Sequence, residues 1–175
     1  NDWAGTYWNG DHHPTVFRWA PKSGFVVTSS NHTFSPSWVN FGKVDFDGKE
    51  LVILPELSKN EKGAHIMPTR FVPIAWDDWC FLIPSDQLLR FAYAVHSKSE
   101  SRIWEFFVKP GDRDKDRKGL PKLSKEFTKY LTMPAIQARI IKVEGDVEET
   151  WSTVVTIDAG SRKGIIEGMS MYYAQ

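Results

Sequence analysis

Gly42-Lys43-Val44-Asp45-Phe46-Asp47-Gly48-Lys49-Glu50-Leu51-Val52-Ile53-Leu54 is the stretch from which the fold can be read. Apolar and polar residues alternate before Asp47-Gly48, and a β-prone run returns after it. Period-two alternation places every second side chain on the same face of a strand. Asp-Gly favours the two-residue type I′ turn, whose twist matches the flanking strands. The segment is therefore predicted to be an antiparallel hairpin with its turn at Asp47-Gly48.

The same pattern recurs on both sides. Upstream, Gly5-Thr6-Tyr7-Trp8 and Thr15-Val16-Phe17-Arg18-Trp19 read as strands, and Pro21-Lys22-Ser23-Gly24 turns into Phe25-Val26-Val27-Thr28. Proline presets one turn position and glycine accepts the positive φ of another. Downstream, Phe71-Val72-Pro73-Ile74-Ala75-Trp76 and Trp79-Cys80-Phe81-Leu82-Ile83 flank Asp77-Asp78. Pro73 marks its strand as an edge or a bulge, since it has no N–H for a ladder. Trp76 and Trp79 are expected to face each other across the hairpin. Successive hairpins make a meander, which curls into a barrel or sandwich.

Helical signals interrupt the strands twice. Ser85 is placed to cap a helix over 86–96, with Leu88, Leu89, Ala92 and Val95 on its apolar side. Ser124 is placed to cap a shorter helix over 125–131. Arg102-Ile103-Trp104-Glu105-Phe106-Phe107-Val108 is expected as a strand between them. The charges of 111–119 alternate in sign, which suits a solvated loop. Ile136 to Val143, Thr153 to Ile157 and Met169 to Tyr173 read as a closing β unit. The expected fold is mainly β with two short helices: an antiparallel barrel- or sandwich-like domain over 1–110, a charged loop and helical connector over 111–134, and a small β module over 135–175.

Composition narrows the function. A chain of 175 residues can bury roughly 70% of its unfolded surface, so it needs no disulfide or metal to fold. Lys plus Arg and Asp plus Glu each number 22. That balance lacks the basic excess typical of nucleic-acid binding, and no nucleic-acid partner is expected. No apolar run approaches the roughly 20 residues of a transmembrane helix. Cys80 is the sole cysteine, so no internal disulfide and no multi-cysteine metal site can form. Its apolar neighbours mark it as a small core residue rather than a nucleophile.

The phosphate-loop pattern fails at the tail. In Val155-Thr156-Ile157-Asp158-Ala159-Gly160-Ser161-Arg162-Lys163-Gly164-Ile165-Ile166-Glu167-Gly168-Met169, Lys163 precedes Gly164 and no hydroxyl follows. Tight turns at Gly160 and Gly164 explain the glycines. Residues 153–173 resemble the β-domain of the rod-shape-determining MreC family. That resemblance implies a small β module and a place in the bacterial cell envelope, without the coiled coil or membrane anchor of that family. Gly5-Thr6-Tyr7-Trp8 and the hairpins after it resemble the opening of a lipocalin or calycin barrel, although Trp8 stands one residue beyond the usual place. That resemblance implies a carrier of a small apolar ligand.

Eight tryptophans supply candidate contact residues, of which Trp8, Trp19, Trp38 and Trp104 are expected to line a cavity or face. Asp11, His12 and His13 are the densest metal-capable group, and a metal-dependent hydrolase is the reading they would carry. No nucleophile elbow, zinc-protease helix or paired-cysteine motif is present, and no cofactor is expected. The leading expectation is a non-catalytic binding or structural protein of the bacterial envelope or exterior, with a protein or a small apolar molecule as partner. The start at Asn1 fits removal of a signal peptide and equally a trimmed cytosolic fragment. Export, to the periplasm, cell surface or exterior, is the expectation, and Asn31-His32-Thr33 matches a glycosylation sequon of a kind that arises often by chance.

Overall fold

The computed structural model describes residues 2–10, 15–30, 36–56, 68–112, 115–134, 136–144 and 154–165, with the side chains of 30 and 36–38 outside that description. The chain divides into two compact units, Asn1–Leu131 and Thr132–Gln175. Most of the segment expected as a connector, 111–134, thus lies in the first unit.

Eight strands build the first unit: β1 Gly5–Asn9, β2 Thr15–Ala20, β3 Gly24–Ser30, β4 Pro36–Phe46, β5 Leu51–Pro55, β6 Arg70–Trp76, β7 Trp79–Pro84 and β8 Phe107–Val108. Each pairs antiparallel with the one before it, and Trp8 of β1 pairs with Val108 of β8, which closes the barrel. Closure removes the open edges that a flat meander would expose. Helices α1 Leu88–His96 and α2 Glu100–Ile103 lie between β7 and β8 in the chain, and α3 Lys125–Thr128 follows β8.

The alternation seen in sequence becomes an inside and an outside. Tyr7, Phe17, Trp19, Phe25, Val27, Leu51, Ile53, Phe71, Leu82 and Phe107 form one buried cluster. Register aligns them, with Tyr7 opposite Phe17 and Phe17 opposite Val27. Phe17 sits at the centre, its ring 5.5 Å from Phe71, 5.7 Å from Phe107 and 5.9 Å from Phe25. Those separations lie in the favourable range for aromatic pairs. Gly42 lets the wall close tightly: a Cβ there would lie 2.1 Å from the Leu54 carbonyl oxygen.

β7 departs from simple alternation because both of its faces are buried. Leu82 packs inside the barrel, while Phe81 meets Phe91 of α1 outside it in a tilted pair, ring centres 5.3 Å apart. Phe91 in turn meets Phe106 edge-on at 5.2 Å. Helix α1 buries Leu89, Phe91, Ala92, Ala94 and Val95 against this outer layer. Pro73 sits where β6 has already left β5, since that pairing ends at Leu51–Phe71. Its missing donor therefore disturbs no ladder on that side.

Three local expectations are corrected. Asp47-Gly48 is not a two-residue turn: Phe46 pairs with Leu51, leaving a loop in which Asp47 Oδ1 accepts from the Lys49 and Glu50 amides at 2.7 and 2.9 Å. The aspartate side chain closes the turn instead of the backbone. Ser85 does not cap a helix; residues Ser85–Gln87 form a 3-10 turn, and its hydroxyl donates to Glu50 Oε1 at 2.9 Å. The run 102–108 is mostly helical turn, because the Ile103 and Trp104 amides reach back to Ser99 and Glu100. Only Phe107–Val108 joins the sheet, so three short α-helices stand among the described residues where two were expected.

In the second unit, β9 Ile140–Glu144 and β10 Val154–Ile157 pair as an antiparallel ribbon. Arg139 and Asp158 fasten its end, the Arg139 amide donating to Asp158 Oδ1 at 2.8 Å. The expected turns beyond it form: Ser161–Lys163 is a 3-10 turn, closed by Gly164 at φ 88°. Residues 169–173, expected as a last strand, lie outside the described residues.

Candidate functional site

Strand parity decides where the candidate tryptophans go. Tyr7 belongs to the interior cluster, so its neighbour Trp8 points outward, opposite Val16 and Val108. Trp19 points inward and meets Phe46 edge-on at 5.3 Å. Trp104 follows α2 and lies against Trp79 with ring centres 5.1 Å apart. The barrel wall thus separates Trp19 from Trp8 and Trp104. The Trp38 side chain lies outside the described residues, and so do Asp11, His12 and His13. Among the described residues, no group of three or more metal-capable side chains is assembled.

Two buried indole donors have no hydrogen-bond partner among the described residues: Nε1 of Trp8 and Nε1 of Trp19. The Trp19 donor is inside the barrel, on a side chain only 3% exposed. A buried donor left unpaired is costly, and ligands or ordered water often satisfy such groups.

A polar set lies beside the interior cluster. The Tyr7 hydroxyl donates to the Trp3 carbonyl at 2.7 Å. Lys109 donates to the Asp2 carbonyl, with its ammonium 5.7 Å from the centre of the Tyr7 ring. The Cys80 amide donates to buried Asp112 at 2.8 Å, and Lys115 pairs with the other carboxylate oxygen at 3.0 Å. Burial is the main cause that pushes the Tyr7 phenol far above its ordinary value, with Cys80 and Asp112 adding to it. Burial likewise pushes the Cys80 thiol up, against an opposing pull from Lys109. A thiol held in its protonated form is a poor nucleophile. These groups mainly fasten the chain to the end of β7 and β1.

The outer aromatic layer carries a feature that charge alternation did not reveal. Residues 115–119, expected as a solvated loop, are seated on the β6–β7 hairpin. Trp79 Nε1 donates to the Lys115 carbonyl at 2.9 Å, and Trp76 Nε1 donates to the Gly119 carbonyl at 3.1 Å. The Arg117 guanidinium lies 4.6 Å from the Trp76 ring centre and 4.5 Å from that of Trp79. It also pairs with Glu100. Trp76 and Trp79 do face each other, as expected from the sequence. The arginine between them is distant in the chain, and local patterning carries no sign of it.

The barrel exterior also carries an apolar stripe. Val39 and Phe41 of β4 and Leu54 of β5 are 42, 48 and 56% exposed. Val26, opposite Phe41, extends it across β3. These residues occupy outward positions where polar side chains are usual for a strand facing water.

The site and fold together define a closed antiparallel eight-stranded barrel with an external helical layer. The sequence matches no protein-family model, and comparison with curated proteins and with solved structures finds no match. No helix among the described residues is long and apolar enough to cross a membrane.

Proposed function

We propose that this chain is a non-catalytic binding protein of the bacterial envelope or exterior that engages a protein partner. One observation carries the reading: a barrel interior occupied by mutually packed aromatic rings coexists with an exposed apolar stripe on β4 and β5. An eight-stranded barrel is just wide enough for its own side chains to fill or for one small ligand. Phe17, Phe25, Phe71 and Phe107 take the first course at its centre. Exposed apolar side chains grouped on one face favour contact with another macromolecule. The envelope location rests on the resemblance of 153–173 to an envelope β module.

The unpaired Trp19 donor supports a second reading, a carrier of a small apolar molecule bearing one hydrogen-bond acceptor. Native mass spectrometry of the purified protein, repeated after denaturation, separates the two. The bare chain mass in both runs is expected. A small-molecule mass lost only on denaturation would overturn the first reading in favour of the carrier.

A further inference from the structure

We infer that Trp76, Trp79 and Glu100 form a guanidinium-binding slot, which the chain fills with its own Arg117 and which can accept an arginine presented by a protein partner. The geometry around Arg117 is that of a bound ligand. Two indole faces lie within 4.6 Å of its central carbon, on the hairpin pair Trp76–Trp79. A planar delocalised cation stacks on indole faces better than a compact ammonium does. Glu100 supplies the counter-charge to one end of the fork. Trp104 packs against Trp79 and supports the second wall.

The rest of the contact is made by groups that every peptide carries. The two indole N–H groups donate to the backbone carbonyls of Lys115 and Gly119, two residues before and two after the arginine. Asp77, at the hairpin tip, accepts from the Lys118 amide at 3.2 Å. Arg117 is thus the side chain that Trp76, Trp79 and Glu100 read, while Lys115 is held apart from them by Asp112; an arginine-centred peptide offers the same carbonyls and amide.

The internal occupant fits incompletely. One terminal nitrogen of Arg117, Nη1, is buried without a hydrogen-bond partner among the described residues. Guanidinium groups have five donors, and an unpaired buried one disfavours the state that contains it. An arginine on another chain brings additional backbone carbonyls that can accept from that nitrogen. Among the described residues, the slot is therefore held shut by a ligand of the right class that leaves one donor unpaired.

The test uses the whole chain, with methylguanidinium as the first probe. R117A should keep the far-ultraviolet circular dichroism of the barrel, while the Lys118 amide exchanges at least about tenfold faster than in the unmodified protein. Methylguanidinium should quench R117A tryptophan fluorescence saturably, at concentrations that leave the unmodified protein unchanged. The double variant R117A/E100Q should bind it several-fold more weakly, and methylammonium should bind R117A more weakly than methylguanidinium. A capped peptide with the sequence of 115–119 should compete, and the same peptide with lysine for arginine should not. If R117A does not fold, R117S, which also vacates the space between the rings, takes its place. Equal responses of variant and unmodified protein, or no saturable quenching of the folded variant, would overturn the slot. The inference rests on the binding-protein reading only for the protein source of the arginine. Methylguanidinium binding without peptide competition would overturn the partner assignment and leave the slot standing, so the two failures are distinguishable.

Discussion

β2 and β9 are both short, β-prone and antiparallel, yet they make opposite use of their apolar residues. Thr15–Ala20 buries Phe17 and Trp19 completely or nearly so, and exposes Arg18 between them. Ile140–Glu144 buries none of its side chains, with Ile141 and Val143 64 and 59% exposed. The difference lies in what surrounds each strand. β2 has a partner on each side and an enclosed interior, whereas β9 has one partner, β10, among the described residues. Apolar content alone therefore does not make a core: it needs a second layer or a closed sheet to bury against.

The largest expected effect breaks that comparison open. Phe17→Ala leaves a cavity among three facing rings and should cost about 3–5 kcal/mol. Val143→Ala removes exposed methyl groups and should change stability by about 0.5 kcal/mol or less. Urea titration of both variants measures the contrast; equal costs would show that the ribbon is buried as thoroughly as the barrel. Next comes Gly42→Ala. Its added methyl would overlap the Leu54 carbonyl, an immovable backbone atom in a closed wall. A loss of about 3 kcal/mol is expected, at the upper end of ordinary overpacking. An unchanged urea midpoint would show that β4 and β5 can separate without penalty.

The barrel was largely legible in sequence because its determinants are local. Turn residues marked the hairpins at Pro21–Gly24 and Asp77-Asp78, while the inward placing of Tyr7, Phe17, Trp19, Phe25 and Val27 emerges only from the paired strands. Closure was not legible. It depends on Phe107–Val108 meeting β1 and β7, a contact made by two residues after a helical excursion. The 102–108 run misleads because its aromatic residues suit a strand by propensity, while Trp104 packs on Trp79 of β7 and Phe106 on Phe91 of α1. The slot around Arg117 was half legible: Trp76 and Trp79 could be paired from the hairpin, but their cation comes from a loop whose composition resembles solvated chain. Among the tryptophans singled out, strand parity sends Trp8 and Trp19 to opposite sides of the wall, a separation that composition does not show.

A smaller effect tests the fit of the loop on the barrel. Trp79→Phe keeps most of the stacked area against Phe81 but loses the donor to the Lys115 carbonyl. One lost hydrogen bond of this kind should cost about 1 kcal/mol. The amides of 115–119 should exchange faster while those of β2 and β3 do not. Uniform acceleration across the barrel would mean that the loop and the wall unfold as one unit.

The last contrast is between a buried titrating group and a half-buried one, and it sets opposite pH limits. The Tyr7 phenol is held neutral by burial, with its folded value raised above the ordinary 10.0. In the unfolded chain the same phenol ionises near that ordinary value. The stability due to keeping it neutral is fully present below pH 10 and is lost as pH rises toward the folded value, because only the unfolded state gives up the proton. Glu50 works in the other direction. Its hydrogen bonds from Arg70, and then from Ser85, hold its carboxyl below the usual 4.5. That contribution is present above the unfolded value and is lost as pH falls through the folded one. Because Arg70 is exposed and Glu50 only half-buried, salt and solvent screen the pair. Tyr7→Phe should therefore flatten the alkaline limb of the stability–pH curve and leave the acid limb in place, whereas Glu50→Gln should flatten only the acid limb, by a smaller amount. Urea midpoints measured from pH 3 to pH 11 provide the check, and an alkaline limb unchanged in Tyr7→Phe would assign that loss to other groups.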